Sequence, residues 1–209
     1  MADMTKMVKT DLLLIDYAGY GMSTGKVSLE NMEKCGVVAV DFLTSIGYSS
    51  EKIRVWTESI GSVAGSVIAR DRKVHSIVVL FGVASFQGIV EELDIPGESF
   101  IISLASRMIP RETNADRYKK SINKLIFLHS IRDNVIPYAS ITNMMKSLDP
   151  SYELITIDGL HSTPIISRDQ FQKVLDFMEI SHPCDAAIDN WVESLSTLSK
   201  GIEFCITDH

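Results

Sequence analysis

Three side chains able to share one piece of chemistry stand far apart along this chain: Ser59, Asp133 and His161. A serine hydroxyl is a weak nucleophile at neutral pH unless a histidine takes its proton. The histidine in turn works best when a carboxylate orients its ring and stabilises its charged form. Ser59 lies in Ile53-Arg54-Val55-Trp56-Thr57-Glu58-Ser59-Ile60-Gly61-Ser62. This stretch reads as a short β-branched strand running without a loop into a helix of small residues. A corner of that kind pushes its side chain out beyond the carboxyl edge of a sheet. It also sets the neighbouring N–H groups, that of Ile60 first, at a helix N-terminus, where negative charge is favoured. The usual form of such a corner is G-x-S-x-G. Here it is Thr57-Glu58-Ser59-Ile60-Gly61, with threonine in place of the first glycine.

Each candidate also has a plain reading. A serine two residues before a glycine is common after strands, and Asp133 could simply be a turn-forming aspartate. His161 could be a surface histidine in the loop Asp158-Gly159-Leu160-His161-Ser162. Position argues against taking them singly, because each follows an expected strand, where open α/β sheets gather functional groups.

The elements that must position them alternate between strand and helix. Asp11–Tyr17 is an apolar run ending in an acid and predicts a strand buried on both faces. Ala18 to Gly25 is glycine-rich but matches neither phosphate-binding pattern, so a nucleotide site is not expected. Ser28 is placed to cap a helix whose apolar face is Met32, Cys35, Ala39, Phe42, Leu43 and Ile46, with Gly47 as its stop. Further strands are expected over Lys52–Trp56, His75–Ala84, Lys124–His129 and Glu153–Ile157. Helices are expected over Ile60–Arg70, over Ile141–Leu148, after the capping box Ser167-Arg168-Asp169-Gln170, and around Ile188 to Leu198. The pattern predicts one α/β domain over 1–209 with a mainly parallel sheet flanked by helices. Residues 85–124 read as an insertion over the sheet edge, a possible small lid.

Composition narrows the function classes. The chain has 209 residues, 45% hydrophobic and 22% charged, as a globular domain does. A formal net charge of −7 argues against nucleic acid, which needs a basic footprint. No apolar run approaches the roughly 20 residues of a membrane span. Residues 1–9 lack a signal-peptide core, and three cysteines in no metal-binding spacing read as free thiols in a reducing compartment. A cytoplasmic location is therefore expected, and no metal or organic cofactor is called for.

The motifs together resemble the α/β-hydrolase superfamily, and most closely its serine-hydrolase branch of esterases, acyl-protein thioesterases and serine aminopeptidase-like enzymes. Asp16-Tyr17-Ala18-Gly19-Tyr20-Gly21-Met22-Ser23-Thr24-Gly25 is similar to that branch's D-Y-R-G-Y-G-x-S-x-G loop, with Ala18 for arginine. Ser59-Ile60-Gly61 matches its nucleophile elbow. Phe127 to Pro137 resembles its acid loop, with Ser130 where a glycine is usual, and Gly159-Leu160-His161 resembles its G-x-H. The likeness runs from about Asp11 to Met178, and the order Ser, Asp, His is the one that the superfamily uses.

The resemblance implies a serine hydrolase cleaving an ester, thioester or related acyl bond in a small acyl substrate or an acylated protein. Ser59, His161 and Asp133 would be its catalytic residues. Glu58 is expected to be structural, and His129 to stand near the acid loop in a supporting place. The resemblance also implies three earlier strands, for which the residues before Asp11 are too few, so an N-terminally truncated chain is expected. The third of those strands would lie between the Asp11–Tyr17 strand and the one ending at the elbow. Without it these two must pair, splay or leave a gap, and the oxyanion hole keeps the Ile60 N–H but lacks its partner. One lost donor costs about 10²–10³ in kcat. The alternative is therefore a catalytically impaired remnant with a non-enzymatic role.

Overall fold

The computed structural model describes residues 11–85 and 112–180. The expected lid falls mostly, and the expected last helix wholly, outside the described residues. The described elements run in the order α1 (Leu29–Ser45), a 3-10 turn (Ser50–Lys52), β1 (Arg54–Glu58), a second 3-10 turn (Ser59–Gly61), α2 (Ser62–Asp71), β2 (Ser76–Leu80), α3 (Asn114–Lys119), β3 (Lys124–Ser130), α4 (Tyr138–Met145), β4 (Glu153–Leu160), β5 (Thr163–Ile165) and α5 (Arg168–Phe177). The strands form one sheet in the order β1-β2-β3-β4-β5. The first four are parallel and β5 turns back antiparallel on β4.

Side chains alternate across the parallel strands, and both faces are covered by helices, as such sheets require. Val78, Leu80, Ile126, Leu128, Ile155 and Ile157 pack on Phe171, Val174, Leu175 and Met178 from α5 and its end. On the other face Ile77, Val79, Leu125 and Phe127 meet Val40 of α1, Ile68 of α2, Tyr118 of α3, and Ile141 and Met144 of α4. Helix starts follow local chemistry. Ser28 caps α1 through its side chain, and reciprocal capping boxes open α3 (Thr113 with Asp116) and α5 (Ser167 with Gln170).

Register matters most for the site. Glu58 lies beside Leu80, and Leu80 beside Leu128. The residues that follow Glu58, Leu80 and Leu128, namely Ser59, Phe81 and His129, therefore fall in one row along the carboxyl rim.

The expected strand at Asp11–Tyr17 is corrected. These residues form no strand, and Leu12, Leu13, Leu14 and Ile15 are 39–60% exposed. An apolar run is held as a strand only by a neighbour's ladder of hydrogen bonds. Among the described residues β1 pairs with β2 alone, which leaves its other edge unladdered. In an exposed segment water can satisfy the backbone groups instead. The segment is tied down through Asp11, whose carboxylate accepts from the Tyr48 hydroxyl. In the turn that follows, Asp16 accepts the Met22 N–H at 3.1 Å and the Ser23 hydroxyl at 2.7 Å. Gly21, at φ +51°, lies so close to Asp16 that a Cβ there would stand 2.1 Å from Oδ2. The loop thus spends a backbone donor on its own carboxylate, which is the opposite of an anion cradle.

Candidate active site

The corner at Ser59 is built by a close approach of helix to strand. Ser59 has φ +52°, in the left-handed region that only glycine enters freely. Its neighbour Ser62 holds it there. The Ser62 hydroxyl donates to the Ser59 carbonyl at 2.6 Å and accepts the Val83 N–H at 3.0 Å. The buried Tyr118 hydroxyl donates to the Ser62 carbonyl at 3.2 Å. Thr57, the departure from the glycine pattern, is accommodated from across the interface. A Cβ on Gly65 of α2 would stand 2.7 Å from the Thr57 methyl, so the space that a first glycine would leave is supplied by Gly65. The Thr57 hydroxyl donates to the Val78 carbonyl at 3.2 Å. Ile60 lies in the 3-10 turn Ser59–Gly61, where amides have no carbonyl of their own turn to bond.

Asp133 sits in the turn after β3. Its Oδ1 accepts the N–H groups of Val135 at 2.8 Å and Ile136 at 2.9 Å, leaving Oδ2 free to face His161. Its carboxylate is fully shielded from solvent. Burial alone would raise this carboxyl's pKa. The hydrogen bond with His161 and the two backbone N–H groups outweigh burial and hold it below the ordinary value.

His161 occupies the tight turn between β4 and β5, and the Asn134 side chain accepts its backbone N–H at 3.2 Å. Its ring lies tilted on Phe81, with centroids 4.9 Å apart. Phe81 is fully buried and itself at φ +52°.

The structure brings the three sequence-selected side chains together. The Ser59 Oγ lies 2.7 Å from His161 Nε2, and His161 Nδ1 lies 2.9 Å from Asp133 Oδ2. A carboxylate only accepts, so Nδ1 carries the proton and Nε2 accepts from the serine hydroxyl. The chain of contacts, hydroxyl to imidazole to carboxylate, can move a proton off Ser59 and hold the resulting charge. Glu58 is exposed beside it. Among the described residues, no cluster of three or more His, Cys, Asp or Glu side chains is placed to hold a metal, and no helix is long and apolar enough to cross a membrane.

Several neighbours were not legible as site residues. Phe81 belongs to an apolar run that reads as core. Asn134 reads as a turn former. Ser130, in place of the usual glycine, donates to the Gly159 carbonyl at 2.5 Å and accepts the Arg132 N–H at 3.0 Å, tying the acid turn to the histidine turn. Its place in the acid loop, where a glycine is usual, marked it as a departure and not as a tie between the two turns.

No protein-family profile and no curated protein matches this chain. Solved structures do. A structure described as an α/β serine hydrolase homologue from Coxiella burnetii matches at 13% identity and TM-score 0.52, over 78% of this chain and 64% of that one. An esterase from Pyrococcus furiosus matches at 16% identity and TM-score 0.58, over 78% and 67%. A puromycin hydrolase matches at 15% identity and TM-score 0.51, over 63% and 22%. The match thus spans under two thirds of the Coxiella chain and about a fifth of the puromycin hydrolase. At these identities the likeness is one of fold, and the chain has the α/β-hydrolase fold.

Proposed function

We propose that this α/β-hydrolase fold carries a serine hydrolase, with Ser59 as nucleophile, His161 as general base and acid, and Asp133 as the orienting carboxylate. The observation behind this reading is the continuous contact from the Ser59 Oγ through His161 to Asp133 Oδ2, at 2.7 Å and 2.9 Å. In the reaction the Ser59 Oγ attacks an acyl carbonyl while Nε2 takes its proton. Asp133 stabilises the imidazolium, and the Ile60 N–H faces the oxygen on which charge develops. The imidazolium then protonates the leaving group, and water releases the acyl group by the same steps in reverse roles. The proposed substrate is an ester, thioester or related acyl compound, small or carried on a protein. An apolar acyl group suits the surroundings: the exposed Ile60, Ile131, Val135 and Leu160 each stand within two residues of Ser59, Asp133 or His161.

A fluorophosphonate probe tests the assignment, because it is attacked by an activated serine with formation of an O–P bond and loss of fluoride. The expected result is labelling of the folded protein that disappears in Ser59→Ala. Labelling that persists in Ser59→Ala moves the nucleophile elsewhere.

A second reading, an impaired remnant, draws support from the edge of β1 beside the elbow, which no strand pairs among the described residues. It predicts a folded protein that neither takes the probe nor turns over a short-chain nitrophenyl ester.

A further inference from the structure

The row Ser59, Phe81, His129 places a second histidine beside the acid. His129 is fully buried. Its Nε2 lies 2.9 Å from the Ile136 carbonyl and 3.3 Å from Asp133 Oδ2, the oxygen that also meets His161. A carbonyl and a carboxylate both accept, so Nε2 carries the ring proton and shares it between them. Nδ1, left without the proton, has no hydrogen-bond partner. Protonating it would bury an N–H with nothing to receive it. Burial pushes this imidazole below its usual range, and the Ile136 carbonyl and the Asp133 charge offset only part of that. His129 is therefore a neutral donor, and its contact with Asp133 is a hydrogen bond rather than an ion pair.

The ring has little freedom to leave that post. Phe81 meets it edge-on at 5.6 Å, and Tyr138 of α4 lies tilted at 6.1 Å. The titratable groups facing it are Asp133 and His161, from the turns after β3 and β4; from α4 it meets the ring of Tyr138, whose hydroxyl is bonded to the Thr156 hydroxyl.

We propose that His129 is a positioning residue for the reaction: an uncharged, immobile donor that fixes Asp133 Oδ2 against His161 and sets how much of the carboxylate's charge His161 receives. The proposal rests on the reading of Ser59, His161 and Asp133 given above. Neutrality is the point of using histidine here. A lysine or arginine would neutralise Asp133 and deprive the imidazolium of its partner, whereas a neutral N–H restrains the carboxylate and leaves its charge in place.

The substitutions His129→Leu and His129→Gln separate this role from packing. Leucine removes the donor. Glutamine can place an amide N–H near the Nε2 position. Oδ1 stays anchored by Val135 and Ile136 in both, so losing the donor leaves more charge on Oδ2 and strengthens the bond from His161 Nδ1–H. The readout is the low-field proton resonance of that N–H, which needs no turnover. The expected result is a downfield move in His129→Leu and a return toward the wild-type position in His129→Gln. The acid limb of the fluorophosphonate labelling rate should move to higher pH in the leucine variant only. If His129→Leu does not fold, His129→Asn replaces it, because its shorter side chain holds the amide nitrogen away from Asp133. A resonance unchanged across wild type, the donor-less variant and His129→Gln overturns the proposal and leaves His129 as packing. Failure of glutamine to restore the wild-type resonance in a folded protein overturns it equally. A wild type that resists the probe while its resonance still responds to His129 would defeat the hydrolase reading and leave only the hold of His129 on Asp133, with no reaction for it to serve.

Discussion

Replacing His161 with alanine is expected to lower kcat by about a millionfold, with KM changed little. Loss of the base in a serine hydrolase has an effect of that order, because serine and histidine act as one unit. Here the unit is explicit: among the described residues, the acceptor set against the Ser59 hydroxyl is His161 Nε2, at 2.7 Å. Without it the hydroxyl must lose its proton to water at its own unfavourable pKa. The fold should survive, since His161 sits at a turn between β4 and β5 and its backbone N–H bond to Asn134 does not depend on the ring. A His161→Ala protein that turns over an activated ester within tenfold of wild type, with an unchanged thermal midpoint, would remove His161 from the mechanism.

Asp133→Asn should be the next most damaging change, about 10⁴-fold in kcat. Asparagine is nearly isosteric, and its oxygen can still accept the Val135 and Ile136 N–H groups that hold Oδ1. Its amide nitrogen then faces His161 Nδ1. Two donors cannot meet, so the ring is driven to the opposite tautomer, with its proton on Nε2, where it blocks the serine. The same substitution has a signature in stability. The folded Asp133 carboxyl lies below its ordinary value. Its contribution is therefore fully present above the unfolded aspartate's pKa of roughly 3.9, and is lost as pH falls through the folded value. Denaturation should show wild type ahead of Asp133→Asn at neutral pH, with the gap closing under acid. A gap independent of pH would mean that the carboxylate's charge is not what the native state favours.

The candidate site was legible because its three members differ in chemistry and each follows a strand. The parallel order then does the rest: register brings Ser59 level with Phe81 and His129, and the turns after β3 and β4 carry Asp133 and His161 to the same rim. Contacts across distant sequence were not legible. Thr57 looked like a defect in the elbow, and only the packing of α2 on β1 shows Gly65 yielding the space. His129 lies in a strand whose other members are core. Its donor role depends on the Ile136 carbonyl folding back seven residues later. The three-residue β5, with Pro164 in it, is too short to carry a periodic signal. Asp11–Tyr17 failed for a different reason: apolarity reports what a segment would gain from a partner, and not whether a partner is there.

The left-handed backbone at Ser59 has a consequence for how this protein balances durability against chemistry. Serine and alanine both bear a Cβ and both suffer in that conformation, by about 1–2 kcal/mol, while glycine does not. Comparing Ser59→Gly with Ser59→Ala removes the hydroxyl from both and isolates the backbone. The glycine protein should melt later, and equal midpoints would show that the corner relaxes. A sequence chosen only for toughness would put glycine at position 59. This chain instead has a serine there, with its oxygen turned toward an imidazole.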